Sequence, residues 1–183
     1  LRRRGVKPFL VCDEGGGIIR DPIGGVKGNY AMVGVFEKGK ANVRFTARSN
    51  GGHASAPPRN SPIARLSAFA NSVEKKFPFR KQILPEVAAM LQALAPYATF
   101  PMKLVFGNLW LFGPVLKVAM PMISAQAGAM LQTTCAFTMQ KGSDACNVLP
   151  QEASLWANLR FIPHQGMEES LRLIRERADR YGL

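Results

Sequence analysis

Apolar and polar positions divide this chain into stretches of different period. Residues 8 to 13, PFLVCD, form a short apolar run that leads into an acidic pair and three glycines. Such a run predicts a buried strand opening into a loop, and a strand of that kind needs neighbours on both faces. No alternation of strands and helices follows to build a parallel sheet, so the strand is expected to belong to a neighbouring domain. From Tyr30, YAMVGVFEKGKANVRFTARS gives two β-branched and aromatic segments around EKGK, predicting a hairpin with Gly39 in its turn. Val43, Phe45 and Ala47 alternate with Asn42, Arg44, Thr46 and Arg48, so one face of this sheet should be wet.

The period then changes. SPIARLSAFANSVEKKF carries Ile63, Leu66, Phe69, Ala70 and Val73 at helical spacing, with Ser61 as N-cap and Pro62 at the first helical position. Residues 85 to 130 read as a helical insertion rich in Met, Leu and Phe, broken by Pro96, Pro101, Gly113, Pro114 and Pro121. Its densest part, LWLFGPVLKVAMPMI, is interrupted before the roughly 20 apolar residues that a spanning helix needs. It is expected to be a buried insertion or a partner-contact surface, not a membrane span. LQTTCAFTMQKG and EASLWANLRFIP are two further strands joined by SDACNVLPQ, and the last helix places Met167, Leu171, Ile174 and Ala178 on one face. The order predicts an α+β two-layer sandwich, an antiparallel sheet with helices on one face.

Composition adds limits. At 183 residues and 47% hydrophobic content the chain can bury a real core. LRRRGVKPFLVC lacks the pattern of a cleavable signal. Cys12, Cys135 and Cys146 are odd in number and without metal-ligand spacing, as suits reduced thiols. Both features point to a cytoplasmic location. The formal charge of +12 fits either a surface for an anionic partner or a piece of protein whose acidic surface lies elsewhere. The second is favoured, because only Arg2, Arg3 and Arg4 form a basic block. The aromatic signature of an RNA-binding sheet is absent from every candidate strand, which argues against a nucleic-acid partner.

Four polar residues on loops or strand ends are candidates for chemistry. Glu14 is a metal ligand or a cap, His53 a general acid or a surface residue, Asn147 a substrate contact or a turn stabiliser, and Arg160 a carboxylate clamp or a strand-end ion pair. In combination they suit metal-assisted hydrolysis of an amide beside a free carboxylate: an acid for the cation, a histidine donor for the oxyanion, and a planar donor set for the carboxylate. One candidate carboxylate and no second histidine ligand cannot hold zinc, which takes three protein ligands even in open catalytic sites. His164, in FIPHQGMEE, reads as capping or preceding the last helix.

DEGG at 13 to 16, GGHASAPP at 51 to 58, NVLP at 147 to 150 and NLRFIP at 158 to 163 stand in order along the chain. Together they resemble the zinc-dependent aminoacylase and carboxypeptidase family of metallopeptidases, and the GHASAPP form and the insertion are most similar to its carboxypeptidase S branch. The resemblance implies a ferredoxin-like lid, or dimerisation, domain over residues 26 to 183 with a helical insertion at about 85 to 130, preceded by a flanking catalytic-domain strand in residues 1 to 25. It implies that Glu14 is a zinc ligand of the whole enzyme. His53 would stabilise the oxyanion, in the partner subunit's site where the enzyme is a homodimer, and Asn147 and Arg160 would hold a peptide or N-acyl amino acid substrate. The remaining metal ligands and the glutamate base are missing, so this chain alone is expected to be inactive, to bind no zinc, and to work against its own catalytic domain. The alternative is a stand-alone assembly or binding module without catalysis.

Overall fold

A computed structural model describes residues 4–7, 9, 16–35 and 37–183. The strand expected at 8 to 13, residue 9 apart, and the acidic ligand Glu14 therefore lie outside the described residues. The elements are β1 (Gly16–Arg20), β2 (Asn29–Val33), β3 (Gly39–Arg48), β4 (Gly52–His53), α1 (Pro62–Lys75), α2 (Pro85–Leu94), α3 (Phe100–Gly107), α4 (Leu109–Ile123), α5 (Ala125–Ala129), β5 (Thr134–Lys141), β6 (Val148–Leu149), β7 (Glu152–Phe161) and α6 (Gly166–Asp179).

The main sheet is antiparallel in the order β3, β7, β5. Strand β3 runs against β7 from Gly39 opposite Phe161 to Arg48 opposite Glu152 without a break. Strand β5 pairs with the other edge of β7, with a register shift between Phe137 and Met139. Period two does the rest: Phe45 and Ala47 of β3, Cys135 of β5, and Ala153, Leu155, Ala157, Leu159 and Phe161 of β7 enter one core. Leu66, Phe69 and Val73 of α1 and Ile174 and Ala178 of α6 close it from the same side. The succession β3, α1, β5, β7, α6, with β7 between the other two strands, matches the first five elements of the ferredoxin-like arrangement, and the α+β expectation holds. Phe69 lies at its centre, within 4.6 Å of the Phe45 ring and 5.7 Å of Phe137, centroid to centroid.

The hairpin expected around EKGK does not form. Strand β2 pairs backwards with β1, Gly16 opposite Val33 and Arg20 opposite Asn29, and β3 pairs across the chain with β7. The turn that reverses the ribbon lies at residues 21 to 28, where Asp21, Gly25 and Gly28 take positive φ and the Asp21 carboxylate accepts from the Gly28 N–H at 2.8 Å. Gly39 has no such φ and starts a strand. Alternation fixes which face of a strand is buried but not which strand it joins, and the fourteen-residue core of β7 and its neighbours offered β3 the better partner face.

The insertion has its own core. Val87, Leu91 and Leu94 of α2, Phe106 of α3, and Leu116 and Met120 of α4 pack with Val26 of the ribbon turn and with Leu131 and Ile162 from the sheet side. Gly113, Pro114 and Pro121, expected to break this region, lie inside α4, which runs through them. Each internal proline removes a helix hydrogen bond; burial of Gly113, Leu116 and Met120 keeps the segment helical. Pro101 instead opens α3, and Pro96 sits in a 3-10 turn over Ala95–Tyr97. Lys38 ties the two regions, its Nζ donating to the carbonyls of Ala129 and Gln132. Partial burial lowers its pKa from the usual lysine value.

Two smaller expectations change and one holds. Ile63 and Met167, placed on buried helix faces by spacing, are exposed. Ser61 occupies the N-cap position of α1 but makes no capping bond with its side chain. His164 precedes α6 without capping it, and its Nε2 donates to the Arg80 carbonyl at 3.0 Å.

Candidate functional site

The His53 loop is built by backbone constraints on both sides. Gly51 and Gly52 adopt φ of +70° and +143°, conformations side-chain-bearing residues rarely take, and a Cβ on Gly51 would come within 2.8 Å of Gln151 Cγ. Ser49 accepts from the Gly51 N–H at 3.0 Å and donates to the Pro150 carbonyl at 2.9 Å. Gly52 and His53 then form the two-residue strand β4 against Leu149 and Val148 of β6. The Ala54 N–H donates to the Asn147 carbonyl at 2.9 Å. His53 and Asn147, ninety-four positions apart in sequence, thus lie on adjacent strand ends. Pro57 and Pro58 lead out toward α1.

The ring of His53 is exposed and oriented by Ser55. The Ser55 backbone N–H, which can only donate, points at Nδ1 at 3.2 Å, and the Ser55 hydroxyl lies 2.8 Å from the same nitrogen. Nδ1 is therefore an acceptor, and the neutral ring carries its proton on Nε2. Nε2 has no hydrogen-bond partner among the described residues. A histidine held in that tautomer on a fixed loop presents one N–H to an external acceptor.

Arg160 stands on β7, on the sheet face opposite the helices. Its Nε donates to Asn158 Oδ1 at 3.0 Å, and Asn158 Nδ2 donates to Asn42 Oδ1 at 2.8 Å. This chain holds the guanidinium by one nitrogen and leaves its two terminal nitrogens for a planar anion. The same open face carries Lys40 beside Arg160, Arg44 beside Trp156, and Lys141 opposite Ser154, so its potential is positive. Asn42, Asn158 and Ser55 went unnoticed as site residues in the sequence. The spacings Asn-x-Arg on a strand and His-x-Ser on a loop are the local signals for two of them; Asn42 needs the cross-strand register.

The candidate residues do not converge within one chain. His53 and Asn147 lie beyond the end of the sheet where Arg48 meets Glu152, and Arg160 lies at the other end, opposite Lys40. Eight residues of β7 separate those ends, about 27 Å at the usual strand rise. An apolar groove of about 770 Å³ between β2 and α2 is lined by Met32, Val33, Met90 and Leu94 and borders none of these residues. Among the described residues no three His, Cys, Asp or Glu side chains come together to hold a metal. Their donor set does not fit zinc.

Comparison with known proteins gives the family. The peptidase dimerisation domain family, M20_dimer, matches residues 35–183. The human N-fatty-acyl-amino acid synthase/hydrolase PM20D1 is 33% identical over 179 residues, which cover 94% of this chain and 34% of that protein. The bovine protein of the same name is 34% identical over 177 residues, covering 96% of this chain and 35% of its own length. A probable carboxypeptidase S-like 2 of Dictyostelium discoideum is 31% identical over 160 residues, 86% of this chain and 30% of that one. The chain thus spans about a third of the length of the curated relatives it matches.

Proposed function

The chain belongs to the M20 peptidase dimerisation-domain family, and we propose that it is the lid of a hydrolase that cleaves amide bonds of N-acyl amino acids or peptides next to a free carboxylate. In this reading Nε2 of His53 donates to the oxygen of the scissile carbonyl as it becomes an oxyanion, Asn147 adds a contact from the adjacent strand end, and the free nitrogens of Arg160 hold the substrate carboxylate. Zinc, held by the catalytic domain with Glu14 among its ligands, would polarise that carbonyl and activate water; the described residues supply no step through it. Residues 1 to 25 would be the flanking part of that domain. The names of the relatives, fatty-acyl amino acid hydrolases among them, favour a substrate with an apolar acyl group.

The separation of His53 and Asn147 from Arg160 carries the proposal. One small substrate cannot touch both ends of a strand about 27 Å long. A symmetric dimer resolves this, because the lid of one subunit brings His53 to a site whose Arg160 comes from the other. The test is the full-length protein with Arg160→Ala: KM for substrates with a free carboxylate should rise, while turnover of their methyl esters stays near wild type. Equal losses on both would remove the carboxylate clamp from the reading.

A further inference from the structure

We propose that the outer face of α3 and α4 seats on an anionic lipid surface. An amphipathic helix shows its polar side to water; these two helices do not. Their inner side fills the insertion core with Phe106, Leu116 and Met120, and their outer side exposes Phe100 and Leu104 of α3 and Leu111, Val115, Val118 and Met122 of α4. The last four recur at one-turn intervals, so they form a single stripe along α4. Trp110 is 81% exposed and Met122 82%, values that leave these large side chains almost wholly in solvent.

Charge selects the occupant. Between Glu86 and Asp144 the sequence holds no acidic residue, and the charged side chains of α3 and α4 are Lys103 and Lys117. Lys103 lies on the exposed stretch of α3 beside Leu104. Protein interfaces of this kind carry about one hydrogen bond per 100 to 200 Å², yet the exposed residues of α3 and α4 include no side-chain oxygen to accept one. Apolar side chains with an indole and lysine ammonium groups around them match the boundary between acyl chains and anionic headgroups, where lysine stems also lie along apolar surface. The pair lies on such a surface and does not cross it: the two helices meet at 108°, and α4 is about 22 Å long against the roughly 30 Å of a hydrocarbon core.

This inference stands apart from the hydrolase reading and is tested without turnover. The full-length protein is sedimented with vesicles of phosphatidylcholine alone, or of phosphatidylcholine and phosphatidylserine in equal parts. Binding to the mixed vesicles, weaker binding to the neutral ones, and loss at high salt are expected. Val115→Glu with Val118→Glu should weaken binding at least about tenfold at unchanged melting temperature, because both side chains are exposed. Lys103→Gln should weaken it about fivefold through charge alone. Failure to bind either vesicle overturns the proposal. So does a fall in melting temperature with the glutamates, which would place the catalytic domain on this face, or a change in oligomer mass by light scattering, which would place a second copy there.

Discussion

The sheet layer and the insertion bury side chains in different ways. In β3, β5, β7, α1 and α6, apolar residues occupy one face of each element, and the opposite face carries Asn42, Asn158, Arg160 and charged neighbours. In α3 and α4 apolar residues occupy both faces, and only one finds a core. A one-sided element can be satisfied within the chain. A two-sided apolar element requires something else against it. The difference assigns the polar chemistry to the sheet layer and contact to the insertion.

The strongest way to break this comparison is to empty each core in turn. Phe69→Ala and Phe106→Ala each remove a fully buried aromatic side chain and should each cost about 3 to 5 kcal/mol. Hydrogen exchange should show the first loss mainly in β3, β5 and β7 and the second mainly in α2 to α4. Equal loss of protection in both regions from either substitution would mean that they form a single cooperative core.

Next in size is the effect on turnover. His53→Ala in the full-length protein should lower kcat by about 100 to 1000-fold, as loss of an oxyanion donor does. Val118→Ala, on the outer face of α4, should leave kcat within about twofold. Near-normal kcat with alanine at residue 53 would remove the role given to that imidazole.

How much of this was legible beforehand follows the same division. Period two in β3 and β7 and helical spacing in α1 and α6 gave the layer and its class, because local alternation is what a half-buried element needs. The partner of β3 was not legible, since its match to β7 is a contact over more than a hundred residues, and the local EKGK turn looked sufficient. Continuity of α4 was hidden for a related reason: proline content is local, and the packing of Leu116 and Met120 that holds the helix together is not. At the site, the Gly-Gly and Pro-Pro borders made the His53 loop stand out. The tautomer set by Ser55 and the Asn42–Asn158–Arg160 chain required coordinates. The distance between the two ends of β7, which decides how the site must be assembled, was likewise absent from motif order.

Smaller effects sharpen the picture of each region. Ser55→Ala keeps the backbone donor to Nδ1 but removes the 2.8 Å hydroxyl contact, and should lower kcat about fivefold, the worth of one hydrogen bond, with KM unchanged. An equal fall in kcat and thermal stability would mark Ser55 as a merely structural residue. Smallest is a contrast between thiols. Burial, and secondarily the charge of Glu74, push the Cys135 thiol up to about 12, whereas Cys146 is exposed. Labelling read by peptide mass spectrometry at pH 8 should modify Cys146 and spare Cys135. The Cys135 pKa is raised above the unfolded value of 9.0, so its contribution to stability is complete below that pH and declines as pH rises toward about 12. Cys135→Ala should flatten the alkaline end of the stability curve.

In the proposed dimer His53 and Arg160 meet only across two copies of the chain. Full-length His53→Ala and Arg160→Ala proteins, each of low activity on a free-carboxylate substrate held well below KM, are unfolded, mixed in equal amounts and refolded together. In a mixed dimer one site receives His53 from one subunit and Arg160 from the other, and its twin receives neither. Recovery to roughly a quarter of wild-type activity is expected, one good site in the half of the dimers that are mixed. No recovery above the two parents, with mixed dimers present by mass, would show that His53 and Arg160 act within one subunit.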